Sequence, residues 1–157
     1  SCDAFGVQHV HVLEITETFT PNPSISHRCE KWLDIHRWPD YAPCLSHLKE
    51  RGFQTCATSF SKDAIPLGDV PLDAPIALIF GNEHRGVSDV VMAECDYHVI
   101  IPMYGFVESL NISVAAAVAM ALTSRALRET GDPSIYLTDE EQAALLERWI
   151  ASHGSAS

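Results

Sequence analysis

Short apolar runs with a strand-like pattern alternate along the chain with longer stretches of helical spacing. The strand-like runs cover residues 7–15, 53–60, 76–80 and 97–103. The run 76–80, "IALIF", is apolar throughout, which is typical of a strand buried on both faces in a parallel sheet. Helical spacing predicts helices at residues 41–51, 89–94, 113–130 and from 139 onward.

Residues at the expected helix ends support these boundaries. Gly52 stands where a left-handed C-cap is expected, Gly131 ends the long helix, and Ser88 can N-cap the short one. Residues 138–141, "TDEE", form a capping box that opens the last helix. That helix carries an apolar stripe made of Leu145, Leu146, Trp149 and Ile150. The stripe needs a partner surface, either in a dimer interface or within the same chain.

The alternation of strands and helices predicts an α/β fold with a parallel sheet, in a single domain over residues 1–157. In such folds ligands bind beyond the carboxyl ends of the strands. Three polar stretches follow predicted strands: "TSFS" from Thr58, "GNEHRG" from Gly81 and "IPMYGFVESLNIS" from Ile101. These three connections are therefore the first places to look for a site.

Composition fits one globular protein of the cytoplasm. The chain has 157 residues, of which 46% are hydrophobic. The longest apolar run, residues 114–122, is about half the roughly 20 residues that a membrane-spanning helix needs. Five cysteines without a C-x-x-C pair favour a reducing compartment. The chain opens on "SCDAFG" without an initiator Met, so we expect it to lack an N-terminal segment.

The charge balance weighs against indiscriminate binding to nucleic acid. Ten Lys and Arg face 21 Asp and Glu, giving a formal charge of −11. Affinity for RNA or DNA rests largely on cations that neutralise phosphates. An RNA-binding role therefore requires the few basic residues to share one face, or a basic segment upstream. The candidate cations are Arg28, Lys31, Arg37 and Arg85. Arg125 and Arg128 on the long helix can also bind RNA, but residues at this spacing more often form a solvated helix face.

Several common sites are excluded or weakened by the motifs. "GNEHRG" has the two glycines of a P-loop, but Val87 and Ser88 follow where Lys and Ser/Thr are needed. No G-x-G-x-x-G opens a helix, which argues against a nicotinamide-dependent oxidoreductase. His9 and His11 share a strand face, yet no further ligand stands at metal-binding spacing. We therefore expect no metal site.

The polar residues of the last two connections have two possible explanations. Glu83 can hold a basic group, or it can be a solvated residue between two turn glycines. Glu108, Ser109 and Asn111 stand just before the alanine-rich helix, where Ser109 or Asn111 can simply cap its first turn. The individual loops leave both explanations open.

Taken together, the loops resemble a known family. "LIFGNEHRGVS" followed by "IIPMYGFVESLNISVAAAVAMAL" resembles motifs two and three of the SpoU, or TrmH-type, branch of the SPOUT methyltransferases. "DAFGVQHVHV" resembles the end of motif one, and "YLTDEEQAALLERWI" resembles the tRNA guanosine 2′-O-methyltransferases of that branch. The resemblance implies a parallel-sheet SPOUT fold with a C-terminal deep trefoil knot, in a homodimer.

The resemblance also implies a cofactor and the residues that hold it. S-adenosyl-L-methionine binds in the knot of these enzymes. Positions matching Thr58, Gly81, Ile101 and Leu110 contact it in the family, and Met103 adds an apolar wall.

The implied reaction is methyl transfer to a ribose 2′-hydroxyl of tRNA, at a D-loop guanosine, or of rRNA. The family's motif-one arginine, which helps remove the hydroxyl proton, would align just before Ser1. We expect Asn111 and Glu83 to organise that arginine and Ser109 to contact a substrate phosphate or the pocket. The alternative is a catalytically incomplete module that binds S-adenosylmethionine and RNA.

Overall fold

The computed structural model describes residues 1–14, 29–82, 85–107 and 109–154. The strands in this part are β1 (His9–Leu13), β2 (Asp34–Trp38), β3 (Gln54–Thr58), β4 (Ile65–Pro66), β5 (Ile76–Ile79) and β6 (Tyr97–Ile100). The α-helices are α1 (Tyr41–Glu50), α2 (Asp89–Glu94), α3 (Ile112–Glu129) and α4 (Asp139–Gly154). Short 3-10 turns occupy Asp3–Phe5, Cys29–Trp32, Leu67–Asp69 and Pro133–Ile135. The predicted loop at residues 21–26 lies outside the described residues.

The described strands form two sheets, and every pairing in them is parallel. β1 pairs with β2, and the other four strands are arranged in the order β4-β6-β3-β5. β3 is central: Ala57 stands opposite Ile79 of β5, and Thr58 stands opposite Val99 of β6. The predicted α/β class with a parallel sheet is confirmed.

The core lies between the four-stranded sheet and α3. Cys56 of β3, Val99 of β6 and Ala119 of α3 are almost completely buried, together with Leu67 and Val70 of the connection after β4. Small alanine side chains on α3 let the helix lie close to the sheet. β5 is only half-buried along its length, so the expectation that it is covered on both faces does not hold within the described residues.

Helix ends follow the local signals. Gly52 and Gly131 both adopt left-handed backbone angles, with φ of 77° and 71°, just after α1 and α3. The capping box of α4 is formed: the backbone N–H of Thr138 donates to Glu141, and the N–H of Glu141 donates to the Thr138 hydroxyl. These contacts satisfy donors that a helix start leaves free.

The apolar stripe of α4 is divided between two environments. Trp149 packs edge-on against Trp32, with ring centres 5.1 Å apart, and Leu145 is buried. Arg148 donates to both carboxylate oxygens of Asp34 on β2, which fixes the helix against the small sheet. Leu146 and Ile150 remain exposed. Packing within the chain therefore accounts for part of the stripe.

Among the described residues, no helix is long and apolar enough to cross a membrane.

A cluster of histidines lies between the small sheet and α1, in a region where the sequence did not predict β2. His9 and His11 share one face of β1, and His36 and Trp38 line the same face of β2. His11 stacks on His36 at 4.6 Å and accepts a hydrogen bond from the Trp38 indole N–H, while His47 of α1 lies 5.7 Å from His11. In the described part of the chain, no group of three or more side chains is placed to hold a metal ion.

Acid is expected to weaken this part of the fold. Burial, with neighbouring His36 and His47, lowers the pKa of His11 to about 4 from 6.5. The folded state therefore resists protonation of His11. The stability that neutral His11 gives to the fold is complete above pH 6.5 and is lost as the pH falls toward 4. Solvent screening reduces that contribution to roughly 1 kcal/mol. We expect urea unfolding between pH 7.5 and 4.5 to show it, and His11→Phe to flatten the curve. An identical pH dependence in the variant would contradict this assignment.

Candidate functional site

The sheet topology brings three predicted cofactor contacts to one edge, the carboxyl edge, where β3, β5 and β6 end side by side. Thr58 ends β3, Gly81 follows β5 and Ile101 follows β6. The Thr58 hydroxyl donates to the carbonyl of Ile79 at 3.2 Å, and the Ser59 N–H donates to the carbonyl of Val99 at 2.9 Å. The end of β3 is thus tied to both neighbouring strands, which gives the edge a fixed shape.

The connection after β5 is a tight turn closed on itself. Asn82 bridges to Gly86: the Gly86 N–H donates to the Asn82 carbonyl at 2.9 Å, and the Arg85 N–H donates to the Asn82 side chain at 2.7 Å. A Cβ on Gly81 would lie 1.7 Å from the carbonyl carbon of Gly86. Glycine at position 81 is therefore required by the return of the backbone, apart from any contact with a ligand.

The connection from β6 to α3 carries the other predicted contacts. Ile101 packs against the core, while Met103 and Leu110 are half-buried. Ser109 is exposed. This connection, with its half-buried apolar side chains and its backbone groups, begins at the carboxyl edge. Apolar walls and close backbone donors and acceptors are what an adenosine-type cofactor needs.

Asn111 caps α3. Its side-chain Oδ1 accepts hydrogen bonds from the Ser113 backbone N–H at 2.9 Å and from the Ser113 hydroxyl at 2.6 Å. The capping explanation considered from the sequence therefore applies. The amide Nδ2 of Asn111 has no hydrogen-bond partner among the described residues, so the same side chain can still donate to a second group. Capping and a role at the site are compatible for this residue.

Two of the candidate acidic residues, Glu83 and Glu108, lie outside the described residues. The proposed role of Glu83 stays a prediction. Thr58, Gly81 and Ile101 are brought to one edge, and Ser109, Leu110 and Asn111 stand on the connection that starts there.

The opposite, amino edge of the sheet holds a polar pair that the sequence did not reveal. Thr55 is completely buried. Its backbone N–H and hydroxyl donate to one carboxylate oxygen of Asp96 at 2.8 and 2.7 Å, and the Asp96 N–H donates to the Thr55 hydroxyl at 3.0 Å. The Thr55 backbone hydrogen bond holds the pKa of Asp96 below its usual value. A cavity of about 330 Å³ lies here, lined in part by Cys95, Asp96 and His98, well away from the predicted pocket.

Three of the six cations considered for RNA binding contact other side chains of the chain. Arg37 pairs with Glu14, and Lys31 lies over the Trp32 ring at 4.4 Å. Arg125 pairs with Glu129 on α3, as expected for a solvated face. Arg128 lies near Gly6, and Arg85 is exposed beside the turn at Gly86. Arg28 lies outside the described residues.

Comparison with known proteins gives consistent similarities. Residues 1–121 match the SpoU rRNA Methylase family. A tRNA (guanosine(18)-2′-O)-methyltransferase of Thermus thermophilus is 38% identical over 146 residues, which are 87% of this chain and 74% of the relative.

Two solved structures extend these similarities to the fold. The TrmH/SpoU tRNA modifying enzyme of A. aeolicus aligns with a TM-score of 0.82 and 33% identity, covering 96% of this chain and 78% of the other. The SpoU methyltransferase AviRb from Streptomyces viridochromogenes, in complex with the cofactor AdoMet, aligns with a TM-score of 0.70 and 25% identity. That alignment covers 79% of this chain and 51% of the other.

Proposed function

The chain belongs to the SpoU rRNA methylase family, and on that premise we propose that it is an S-adenosyl-L-methionine-dependent RNA 2′-O-methyltransferase. Its substrate is tRNA, and its target is a guanosine of the D-loop. The observation that carries the proposal is the match, over most of the chain, to relatives named for that reaction at guanosine 18. The connections after β5 and β6, which carry much of the resemblance, begin at the carboxyl edge.

The cofactor site is assigned to the carboxyl edge. Thr58, Gly81 and Ile101 would contact S-adenosylmethionine, with Met103 and Leu110 as apolar walls. When bound, this cofactor supplies a methyl group on a positively charged sulfur, which departs as a neutral thioether. No metal ion is needed to stabilise such a leaving group. The chain's own task is to hold the ribose hydroxyl in line with the methyl group and exclude water.

Asn111 is the first candidate for positioning the reacting groups. Its Oδ1 fixes the start of α3, and its Nδ2 is available to donate a hydrogen bond to a substrate oxygen. Glu83 is assigned a similar positioning role on the connection after β5. Ser109, exposed two residues before Asn111, is assigned to a substrate phosphate or to the pocket.

The assembly proposed for the protein is a knotted homodimer in the cytoplasm. The proposal of a deep trefoil knot rests on the family resemblance of residues 78–88 and 100–122. Exposed apolar side chains on the last helix, Leu146 and Ile150, and on α3, Val114 and Leu122, support a second copy as partner.

The decisive measurement is transfer of labelled methyl from S-adenosylmethionine to an unmodified tRNA transcript, followed by mapping of the methylated nucleotide. We expect a single 2′-O-methylguanosine in the D-loop. Cofactor and tRNA binding without methyl transfer would favour the alternative, a binding module without catalysis. Methylation of rRNA in place of tRNA would overturn the substrate assignment.

Two variants separate the capping and positioning roles of Asn111. Asn111→Asp keeps an oxygen that caps α3 but removes the Nδ2 donor, whereas Asn111→Ala removes both. We expect the Asp variant to keep the wild-type melting temperature and to lose about tenfold in methyl-transfer rate. The Ala variant should also lose roughly 1 kcal/mol of stability. Wild-type activity in Asn111→Asp would mean that the residue serves the helix alone.

A further inference from the structure

Two aromatic side chains stand fully exposed on the connection between β6 and α3. The exposed fraction is 97% for Tyr104 and 107% for Phe106, so neither ring is covered by the rest of the chain. Large apolar rings are seldom left this free of contact in a folded protein. Gly105 separates them, and nothing lies within 4 Å of where a Cβ on that glycine would stand.

Their place in the chain links them to the proposed site. Met103, assigned to the cofactor pocket, directly precedes Tyr104. Ser109 and Asn111, assigned to the reacting groups, follow Phe106 by a few residues. Any RNA ribose held at the carboxyl edge would therefore bring its neighbouring bases toward this connection.

The charges of the protein favour such a contact. With a formal charge of −11, the chain repels a polyanion at long range. Arg37, Arg125 and Arg148 each form an ion pair with a carboxylate of the same chain. Contacts to phosphates then contribute less to RNA affinity. More of the affinity therefore has to come from contacts that do not depend on charge. Aromatic side chains supply one, because every base offers a flat face for stacking.

We propose that Tyr104 and Phe106 form a stacking platform for unpaired bases of the RNA that flank the methylated ribose. The proposal rests on the proposed function and adds to it the means of holding the substrate. RNA is favoured over a second copy of the chain because the two rings stand between Met103 and Ser109, which are assigned to the cofactor and to the substrate. The alternative, an apolar contact between two copies, is an outcome of the test below.

The experiment compares variants that differ in the ring and keep apolar character. Tyr104→Leu and Phe106→Leu remove the flat face and leave an apolar side chain, whereas Tyr104→Phe and Phe106→Tyr keep it. Tyr136→Leu is the control, because Tyr136 is an exposed aromatic residue beyond the far end of α3, a helix about 27 Å long. Binding of unmodified tRNA transcript is measured at several salt concentrations, together with S-adenosylmethionine affinity, melting temperature and mass in solution.

We expect each Leu variant at the platform to weaken tRNA binding about tenfold with an unchanged salt slope, since stacking releases no counterions. The aromatic exchanges and Tyr136→Leu should bind as wild type does, and cofactor affinity, melting temperature and mass should not change. Wild-type tRNA affinity in both Leu variants would overturn the proposal. A lower mass in solution for these variants would also overturn it and assign the rings to a contact between copies.

The two proposals fail in different ways. If the wild type binds tRNA through these rings but transfers no methyl group, the platform stands and the proposed function fails. If the wild type methylates tRNA and the Leu variants bind tRNA normally, only the platform is wrong. A wild type that binds no tRNA overturns both.

Discussion

Gly81→Ala is expected to weaken S-adenosylmethionine binding strongly and to destabilise the protein. The added Cβ would lie 1.7 Å from the carbonyl carbon of Gly86 and 2.0 Å from its oxygen, far inside any tolerated contact. Because the clash is with backbone, the turn after β5 must move, and Asn82 would lose its bridge to Gly86. We expect a loss of roughly 3 kcal/mol of stability and a fall of about a hundredfold or more in cofactor affinity.

Calorimetric titration with S-adenosylmethionine and thermal unfolding measure the two effects. Gly68→Ala is the matched control, because a Cβ at Gly68 meets nothing within 4 Å. The control should bind the cofactor and melt as the wild type does. A Gly81→Ala protein with normal cofactor affinity would show that the turn is not part of the pocket.

Asp96→Ala should cause a large loss of stability without affecting the cofactor site. Thr55 is completely buried, and its N–H and hydroxyl both depend on the Asp96 carboxylate. Without the carboxylate these donors remain buried and unpaired, which costs about 3 kcal/mol. Cofactor affinity should persist below the melting transition, since Asp96 lies at the amino edge of the sheet.

Asp73→Ala provides the comparison for Asp96→Ala. Asp73 accepts a hydrogen bond from the neighbouring residue of β3, Gln54, at a similar distance of 2.6 Å, but in an exposed position. Urea unfolding should show a loss below about 1 kcal/mol for this control. Equal losses in the two variants would mean that the buried donors of Thr55 find other partners.

The helices and most strands followed from local signals in the sequence. Glycines at 52 and 131, the capping box at Thr138 and the apolar run after Pro75 each act within a few residues, so their structures could be predicted closely. β2 was missed because "DIHRW" has no apolar alternation, although Pro39 and Asp40 mark its end. Its stability comes from pairing with β1 and from contacts with residues distant in sequence.

The site could be predicted only as far as its motifs allowed. The carboxyl ends of β3, β5 and β6 could be named from strand order alone, and the topology brings them together. The clash that requires glycine at position 81 depends on how the chain returns at Gly86, which no pattern of residues reveals. The Thr55–Asp96 pair likewise joins a residue of β3 to the residue just before β6, and neither stands out in its local sequence.

Parallel pairing of all the described strands also constrains how the protein folds. No strand here pairs through a hairpin with the next one along the chain, so each pairing must close a loop of tens of residues. The central strand β3 is made before either of its partners, β5 and β6. During synthesis one edge of β3 stays open until β5 has been made, and the other stays open until the chain has been extended to residue 100. Early protection of β3 therefore depends on α1, the local helix that precedes it.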